Sequence, residues 1–325
     1  MVDLKEKLYQ MFILGTEGGN LDEALKNGIG GVIFFTKDIQ SDEQFKNLIT
    51  DIKQKCKIKP FLSIDQEGGR VERTENIHGG KKYLSAKFAY EKGVKFLEKQ
   101  TQEIAQELKS YGINLNFAPC IDTNTNPNNP IIGERAFSSN PDEVIEAEKI
   151  VSSTYRKNGI IPCVKHFPGH GDADTDSHLA LPKIDLPLNE MEQTHIKPFK
   201  SAIENNIEMV MVAHLHCTYF EKEGIPTSLS KNAIDYLRNN LKFKGVAISD
   251  DMIMKGVADF GEVEACEMGI RAGLNMFIYR NCDDKTINII EKIYQKAIID
   301  DELRKNIEKS YLKIQNLKQK YEREL

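Results

Sequence analysis

The sequence has no closely spaced pair of cysteines of the kind that marks a zinc ribbon or a small disulfide scaffold. Its six cysteines lie far apart along 325 residues, and we expect them to be reduced and mostly buried. It also has no large excess of charge of one sign, since 44 Lys and Arg stand against 49 Asp and Glu. Without a basic stripe to neutralise phosphates, nucleic acid is not an expected partner.

Long apolar runs are absent as well. The N-terminal segment MVDLKEKLYQMFILG mixes charged with apolar residues, and no later run approaches membrane-spanning length. We therefore expect a cytoplasmic protein that does not bind membranes. The GTEGG turn at 15–19 lacks the G-x-G-x-x-G spacing, which argues against an open dinucleotide-binding sheet.

Short apolar runs alternate with amphipathic stretches along almost the whole chain, a pattern typical of βα units. Because there are eight such runs, we predict a TIM (β/α)8 barrel that forms one domain over residues 1–325. A C-terminal amphipathic helix, about 300–325, is expected to dock on this barrel. The predicted strands are residues 11–15, 30–35, 61–65, 113–119, 160–166, 209–216, 245–250 and 275–280.

Polar residues recur at the C-terminal ends of five predicted strands, where TIM barrels place their active sites. They are Asp65, Asp122, Lys165, His166, His214, His216, Asp250 and Asp251. His214 and His216 alternate onto one face of a predicted strand, and His166 lies on its neighbour. A metal-dependent hydrolase built on these three histidines is therefore one alternative.

The segment KHFPGHGDADTDSHL, residues 165–179, holds three histidines and three aspartates. The aspartates do not fit an EF-hand loop, which needs glycine at its sixth position and glutamate at its twelfth. In the triplet DSH, Asp176 can bind one ring nitrogen of His178, raise the pKa of the imidazole and leave the other nitrogen to donate a proton. Its glycines predict that the loop 169–178 is mobile without ligand and closes on it.

The seventh predicted strand ends in ISDD and supplies a carboxylate at the barrel mouth. Asp250 could attack a carbon centre that bears developing positive charge, with the histidine as the source of the proton. We expect the adjacent Asp251 to face the other side of the strand, because side chains alternate along a strand.

Together these motifs resemble glycoside hydrolase family 3, and within it the single-domain bacterial β-N-acetylglucosaminidases of peptidoglycan recycling. The stretches that carry the resemblance follow the family's order and approximate spacing. They are DQEGGRVERT (65–74), LNFAPCIDTNTNPNNPIIGERAF (115–137), KHFPGHGDADTDSHLALP (165–182), MVMVAHL (209–215) and GVAISDDMIMKGV (245–257). The segment 74–88 departs from the family's usual apolar, proline-containing sequence, so the preference for the leaving group stays open.

The resemblance implies a retaining exo-β-N-acetylglucosaminidase that acts on muropeptides or other glycans and needs neither metal nor organic cofactor. It implies that Asp250 is the nucleophile, and that His178 is the acid/base, assisted by Asp176. The implied substrate contacts are Asp65, Arg73, Arg135, Lys165 and His166.

Several alternatives remain open at the level of the sequence. Within the family they are another β-glycosidase or an N-acetylglucosamine phosphorylase. Outside it they are the metal-dependent barrel hydrolase and a carbohydrate-binding barrel without activity. The sequence also leaves the oligomeric state open, a monomer included.

Overall fold

The computed structural model describes residues 2–77, 82–173 and 181–321, which form a closed barrel of parallel strands surrounded by helices. Eight strands close the barrel in the order β1, β2, β3, β4, β5, β7, β9, β10, and each pairs in parallel with the next. The predicted TIM barrel is confirmed. The strands are β1 (Phe12–Glu17), β2 (Gly31–Phe34), β3 (Phe61–Ile64), β4 (Leu115–Asn116), β5 (Ile161–Phe167), β6 (Lys183–Ile184), β7 (Met209–Val212), β8 (His216–Cys217), β9 (Val246–Asp251) and β10 (Met276–Asn281).

Helices cover the outside of the barrel. None of them, over the residues that the structure describes, is both long and apolar enough to cross a membrane. They are α1 (Leu4–Tyr9), α2 (Leu21–Lys26), α3 (Asp42–Lys55), α4 (Ala86–Glu91), α5 (Val94–Tyr111), α6 (Pro141–Lys157), α7 (Leu188–Gln193), α8 (Ile196–Glu204), α9 (Lys231–Asp235), α10 (Lys255–Ala258), α11 (Glu262–Ala272), α12 (Asp284–Ile299) and α13 (Asp301–Lys320).

Most barrel strands are buried on both faces, which explains why they read as continuous apolar runs. Every residue of β2, β3, β5 and β7 is buried. Side chains fill the barrel inside and helices cover it outside, so neither face can be polar over its length. The long helix α13 adds to this cover, because it buries Leu303, Ile307 and Ile314 completely.

The sixth barrel strand ends earlier than its sequence predicts. β7 stops at Val212, and His216 belongs to β8, which pairs with β6 outside the barrel. The prediction that His214 and His216 alternate along a barrel strand is therefore wrong. The physical reason is a change of partner, since the His216 amide donates to the Pro182 carbonyl instead of to a barrel strand.

Candidate active site

A cavity of about 470 Å³ opens at the C-terminal ends of the barrel strands. This is the end at which TIM barrels carry their active sites. Residues far apart in sequence meet here because the ends of parallel strands lie side by side. The predicted site residues that line the cavity are Asp65, Arg73, Arg135, Lys165, His166 and Asp250.

Two of the predicted catalytic residues, Asp176 and His178, lie outside the described residues. The first part of their loop is described and is bound to the segment that follows β4. Asn129 Nδ2 donates to the His170 carbonyl at 2.8 Å, and a Cβ on Gly171 would lie 1.8 Å from the Thr123 carbonyl oxygen. Glycine is thus required at 171 for close backbone approach, while the predicted closure of the loop remains a prediction.

Lys165 is held between two carboxylates on the floor of the cavity. Its Nζ lies 2.6 Å from Asp65 Oδ1 and 2.6 Å from Glu67 Oε1, and its side chain is 2% exposed. Burial lowers the pKa of Lys165, but Asp65 and Glu67 outweigh burial and raise it above its usual value. The ammonium group therefore stays charged and fixed.

Glu67 also binds Arg135 through both of its oxygens. Arg135 Nε and a terminal nitrogen donate to Glu67 at 2.9 and 2.8 Å, a bidentate pair. Burial raises the pKa of Glu67, yet Arg135 and Lys165 outweigh it and hold the pKa well below its usual value. One buried carboxylate thus orients two of the cations that face the cavity.

Asp122 plays the corresponding part for His166. Its Oδ2 lies 2.7 Å from His166 Nδ1, and its Oδ1 accepts from the His170 amide at 2.6 Å. Burial raises the pKa of Asp122, but His166 and His170 outweigh it and keep the pKa well below normal. Because an ionised carboxylate only accepts, His166 Nδ1 carries a proton, and Nε2 accepts from Arg135 at 3.4 Å.

Asp250 is a half-buried carboxylate that forms no ion pair with a described residue. Its Oδ1 accepts from the Asp251 amide at 2.7 Å. Burial raises the pKa of Asp250, whereas the neighbouring His166 and His214 lower it more. Its pKa lies below the usual value, so Asp250 is an anion at neutral pH.

Asp251 also lines the cavity, so the prediction that it faces the other side of the strand is wrong. The pairing of β9 with β10 shifts here, since Met276 pairs with Ile248 but Ile278 with Asp251. One extra residue in β9 breaks the strict alternation of side chains. Asp251 binds Arg280 through its carboxylate, which distinguishes it from Asp250.

Arg73 reaches the cavity with spare donor capacity. Its guanidinium lies over the ring of Phe35, 5.7 Å from the centroid, and its buried Nε has no hydrogen-bond partner in the part of the chain that the structure describes. Phe35 itself lines the cavity and is partly exposed. The cavity therefore presents the aromatic ring of Phe35 beside the cationic side chain of Arg73.

The three histidines of the metal-hydrolase alternative are not gathered as ligands within residues 2–77, 82–173 and 181–321. His214 Nδ1 lies 2.7 Å from the Ser228 hydroxyl oxygen. His216 Nε2 lies 2.8 Å from the Glu221 carbonyl oxygen. In that part of the chain, the group with metal-ligand spacing is instead Cys120, Asp122 and His166.

The residues that position the cavity-lining side chains were not predicted from the sequence. Glu67 lies two residues after Asp65, and this i, i+2 spacing was a usable signal. Arg280 ends the eighth predicted strand, and this position is a second signal in the sequence. Asp122 lies at a predicted strand end, but its role cannot be read from the sequence because its partner His166 is 44 residues away.

The comparisons with known proteins agree with this geometry. A model of the Glycosyl hydrolase family 3 N terminal domain matches residues 3–317. The Beta-hexosaminidase of Methylococcus capsulatus is 31% identical over 276 residues, 82% of this chain and 80% of that protein. Beta-hexosaminidase A of Pseudoalteromonas piscicida is 32% identical over 282 residues, 79% of this chain, and the match spans only 47% of that longer protein.

Solved structures show the same relationship. A glycoside hydrolase family 3 beta-N-acetylglucosaminidase from Paenibacillus superposes with a TM-score of 0.92 at 28% identity, over 99% of this chain and 63% of that one. LpqI of M tuberculosis has a TM-score of 0.86 at 23% identity, over 98% and 94%, a likeness in fold.

Fold and site together define a barrel enzyme that cleaves glycosidic bonds. The chain belongs to glycosyl hydrolase family 3, and it is a glycoside hydrolase of the β-hexosaminidase type. The resemblance seen in its motifs is confirmed.

Proposed function

We propose that this enzyme removes terminal β-linked N-acetylglucosamine from peptidoglycan fragments with net retention, through a covalent glycosyl ester of Asp250. The observation that carries the proposal is the state of Asp250. It is a half-buried anion at the end of β9 with no ion pair among the described residues, whereas its neighbour Asp251 is bound to Arg280. A nucleophile must be ionised and uncommitted, and Asp250 meets both conditions.

The reaction proceeds in two displacements. His178 donates a proton to the leaving oxygen as Asp250 attacks the anomeric carbon and the glycosidic bond breaks. His178 then takes a proton from water, whose oxygen attacks the same carbon and frees Asp250. Asp176 binds the other ring nitrogen of His178 and favours its protonated form. The roles of Asp176 and His178 rest on the DSH motif of the sequence.

The cations and carboxylates around the cavity suit the hydroxyl and acetamido groups of a sugar. Asp65 gives only Oδ1 to Lys165, which leaves Oδ2 to accept from hydroxyl groups. Arg73 lines the cavity and has a donor without a partner among the described residues, and Arg135 and His166 line the cavity from fixed positions. We assign these five residues to substrate binding.

A muropeptide is the substrate that best suits the edge of the cavity. Arg70, which is exposed, and Arg280, which is partly exposed, both line it. A muramoyl leaving group carries a lactyl carboxylate that two such cations attract. The six free cysteines, five of them buried, support a reducing location such as the cytosol. The names of the relatives support the N-acetylhexosamine specificity.

One assay tests the proposal against its alternatives. A chromogenic N-acetylglucosaminide is incubated with the enzyme, with and without a chelator. We expect turnover that the chelator leaves unchanged. Turnover lost with the chelator would indicate the metal-dependent hydrolase, and binding without turnover would indicate a carbohydrate-binding barrel. Cleavage of a muropeptide disaccharide no faster than chitobiose would contradict the proposed leaving group.

A further inference from the structure

Three metal-ligating atoms lie together behind the wall of the cavity, and the proposed hydrolysis does not use them as ligands. Cys120 Sγ, a carboxylate oxygen of Asp122 and a ring nitrogen of His166 are within 4.8 Å of one another. All three residues are buried. Thiolate, imidazole and carboxylate are the ligands that Zn²⁺ and its softer relatives prefer.

Two proton donors in this cluster converge on one oxygen. Cys120 Sγ lies 3.2 Å and His166 Nδ1 2.7 Å from Asp122 Oδ2. A divalent ion can take the place of the two protons that point at this oxygen. Asp122 Oδ1 keeps its hydrogen bond to the His170 amide, so the backbone around the cluster is not disturbed.

A fourth potential ligand lies beside the cluster. The ring of His170 is 3% exposed and 6.0 Å from that of His166 between centroids. Both of its ring nitrogens are buried and find no hydrogen-bond partner among residues 2–77, 82–173 and 181–321, which is uncommon for a buried polar group.

We propose that Cys120, Asp122 and His166 form an inhibitory site for a thiophilic divalent cation, the class that includes Zn²⁺ and Cd²⁺. Binding releases the Cys120 thiol proton to solvent and moves the His166 ring proton from Nδ1 to Nε2. No electron is transferred. The ion adds two positive charges and one proton leaves, so a cluster with one negative charge becomes neutral, which favours the ion in a buried site.

Inhibition follows from the proton that moves to His166 Nε2. This nitrogen accepts from a terminal nitrogen of Arg135 at 3.4 Å, and Arg135 is fixed by Glu67. With the metal bound, two N–H donors face each other, so His166 or Arg135 must leave its place in the cavity. The predicted inhibition rests on the proposed function, whereas the predicted binding of the metal does not.

The test compares two cysteine variants. All variants carry Cys56→Ser, because Cys56 is the cysteine that is not buried and could otherwise bind the ion. Cys120→Ser is then added, because serine keeps a donor to Asp122 but supplies no thiolate. The readouts are the ultraviolet charge-transfer band of a Cd²⁺ thiolate, its stoichiometry, and hydrolysis of the chromogenic substrate.

We expect the Cys56→Ser protein to bind one Cd²⁺ with a thiolate band and to lose activity reversibly with a chelator. Cys120→Ser should abolish the band, weaken inhibition about a hundredfold or more and keep the metal-free activity. Cys163→Ser, a buried thiol elsewhere on β5, is the matched control and should change neither readout.

Absence of the band, or a band or inhibition that survives Cys120→Ser, would overturn the inference. Cys120→Val serves as a second variant if the serine variant does not fold, with the same expectations for the metal. If no variant hydrolyses the substrate, the proposed function fails, while the Cd²⁺ band still tests the site.

Discussion

Lys165 Nζ lies 2.6 Å from Glu67 Oε1, an ion pair in which the side chains are 2% and 4% exposed. The same carboxylate binds Arg135 at 2.8 Å. Two cations of the cavity therefore depend on an anion that does not line the cavity itself. Glu67 acts as a positioning residue, and the geometry of the site depends on it as much as on the residues that would touch a substrate.

Replacing Glu67 should reduce both stability and activity. Glu67→Gln leaves Arg135 without its counter-ion and Lys165 with Asp65 alone. Removing one partner of a buried pair costs about 3–5 kcal/mol of unfolding free energy. Urea unfolding measures this loss, and kcat/KM should fall with it. Glu308→Gln, which removes an exposed partner of Lys7, is the control and should cost about 1 kcal/mol or less. Equal effects of the two variants would contradict the positioning role.

The two adjacent aspartates should differ sharply in their kinetics. Asp250→Asn removes the proposed nucleophile and should lower kcat/KM at least about a thousandfold. Asp251→Asn weakens an ion pair with Arg280 and should cost about a hundredfold or less. The two variants make the same change of charge at adjacent positions, so each serves as the control for the other. A larger loss in Asp251→Asn than in Asp250→Asn would reverse the assignment.

The acid/base assignment predicts a dependence on the leaving group. Asp176→Asn should lower the pKa of His178 and so weaken its ability to donate a proton. Substrates with poor leaving groups should lose about 10²–10⁴ in kcat/KM, whereas aryl glycosides with good leaving groups should change little. A plot of rate against leaving-group pKa for both enzymes makes the comparison. An unchanged slope would mean that Asp176 does not assist the proton donor.

A histidine acid also affects which acceptor can attack the glycosyl-enzyme. A carboxylate in its place would repel an anionic acceptor by about 1 kcal/mol or more at close range, while a neutral imidazole does not. We expect millimolar phosphate to yield some N-acetylglucosamine 1-phosphate, and His178→Glu to suppress this product more than hydrolysis. If neither enzyme forms the sugar phosphate, the chain is a plain hydrolase and this rationale for the histidine fails.

Buried histidines should make the fold less stable between pH 7 and pH 5. Burial lowers the pKa of His170, His195 and His214, so each binds a proton less readily when folded than the ordinary value of about 6.5 for an unfolded chain. The stability that these neutral histidines contribute is therefore fully present above about pH 6.5 and is lost as the pH falls below it. Each contributes up to about 1.4 kcal/mol per pH unit. Urea unfolding across this range measures the slope, and a flat profile would contradict it.

The sequence was sufficient for the barrel and for the residues at its mouth. Asp65, Lys165 and Asp250 were found because they follow or end apolar strands, and parallel strands bring such ends together. The alternation rule failed at Asp251, where the shift in register between β9 and β10 cannot be read from the pattern of either strand. The pairing of Asp122 with His166 also escaped, because it joins residues 44 positions apart through tertiary structure alone.

The covalent ester of Asp250 is the central claim, and trapping tests it most directly. The enzyme is incubated with a 2-fluoro or 5-fluoro N-acetylglucosamine-type glycoside, digested, and its peptides are analysed by mass spectrometry. We predict one sugar adduct on the peptide that contains Asp250, and none in the Asp250→Asn variant. An adduct on a peptide without Asp250 would contradict the account, as would turnover that proceeds through attack by the acetamido group of the substrate with no adduct on the protein.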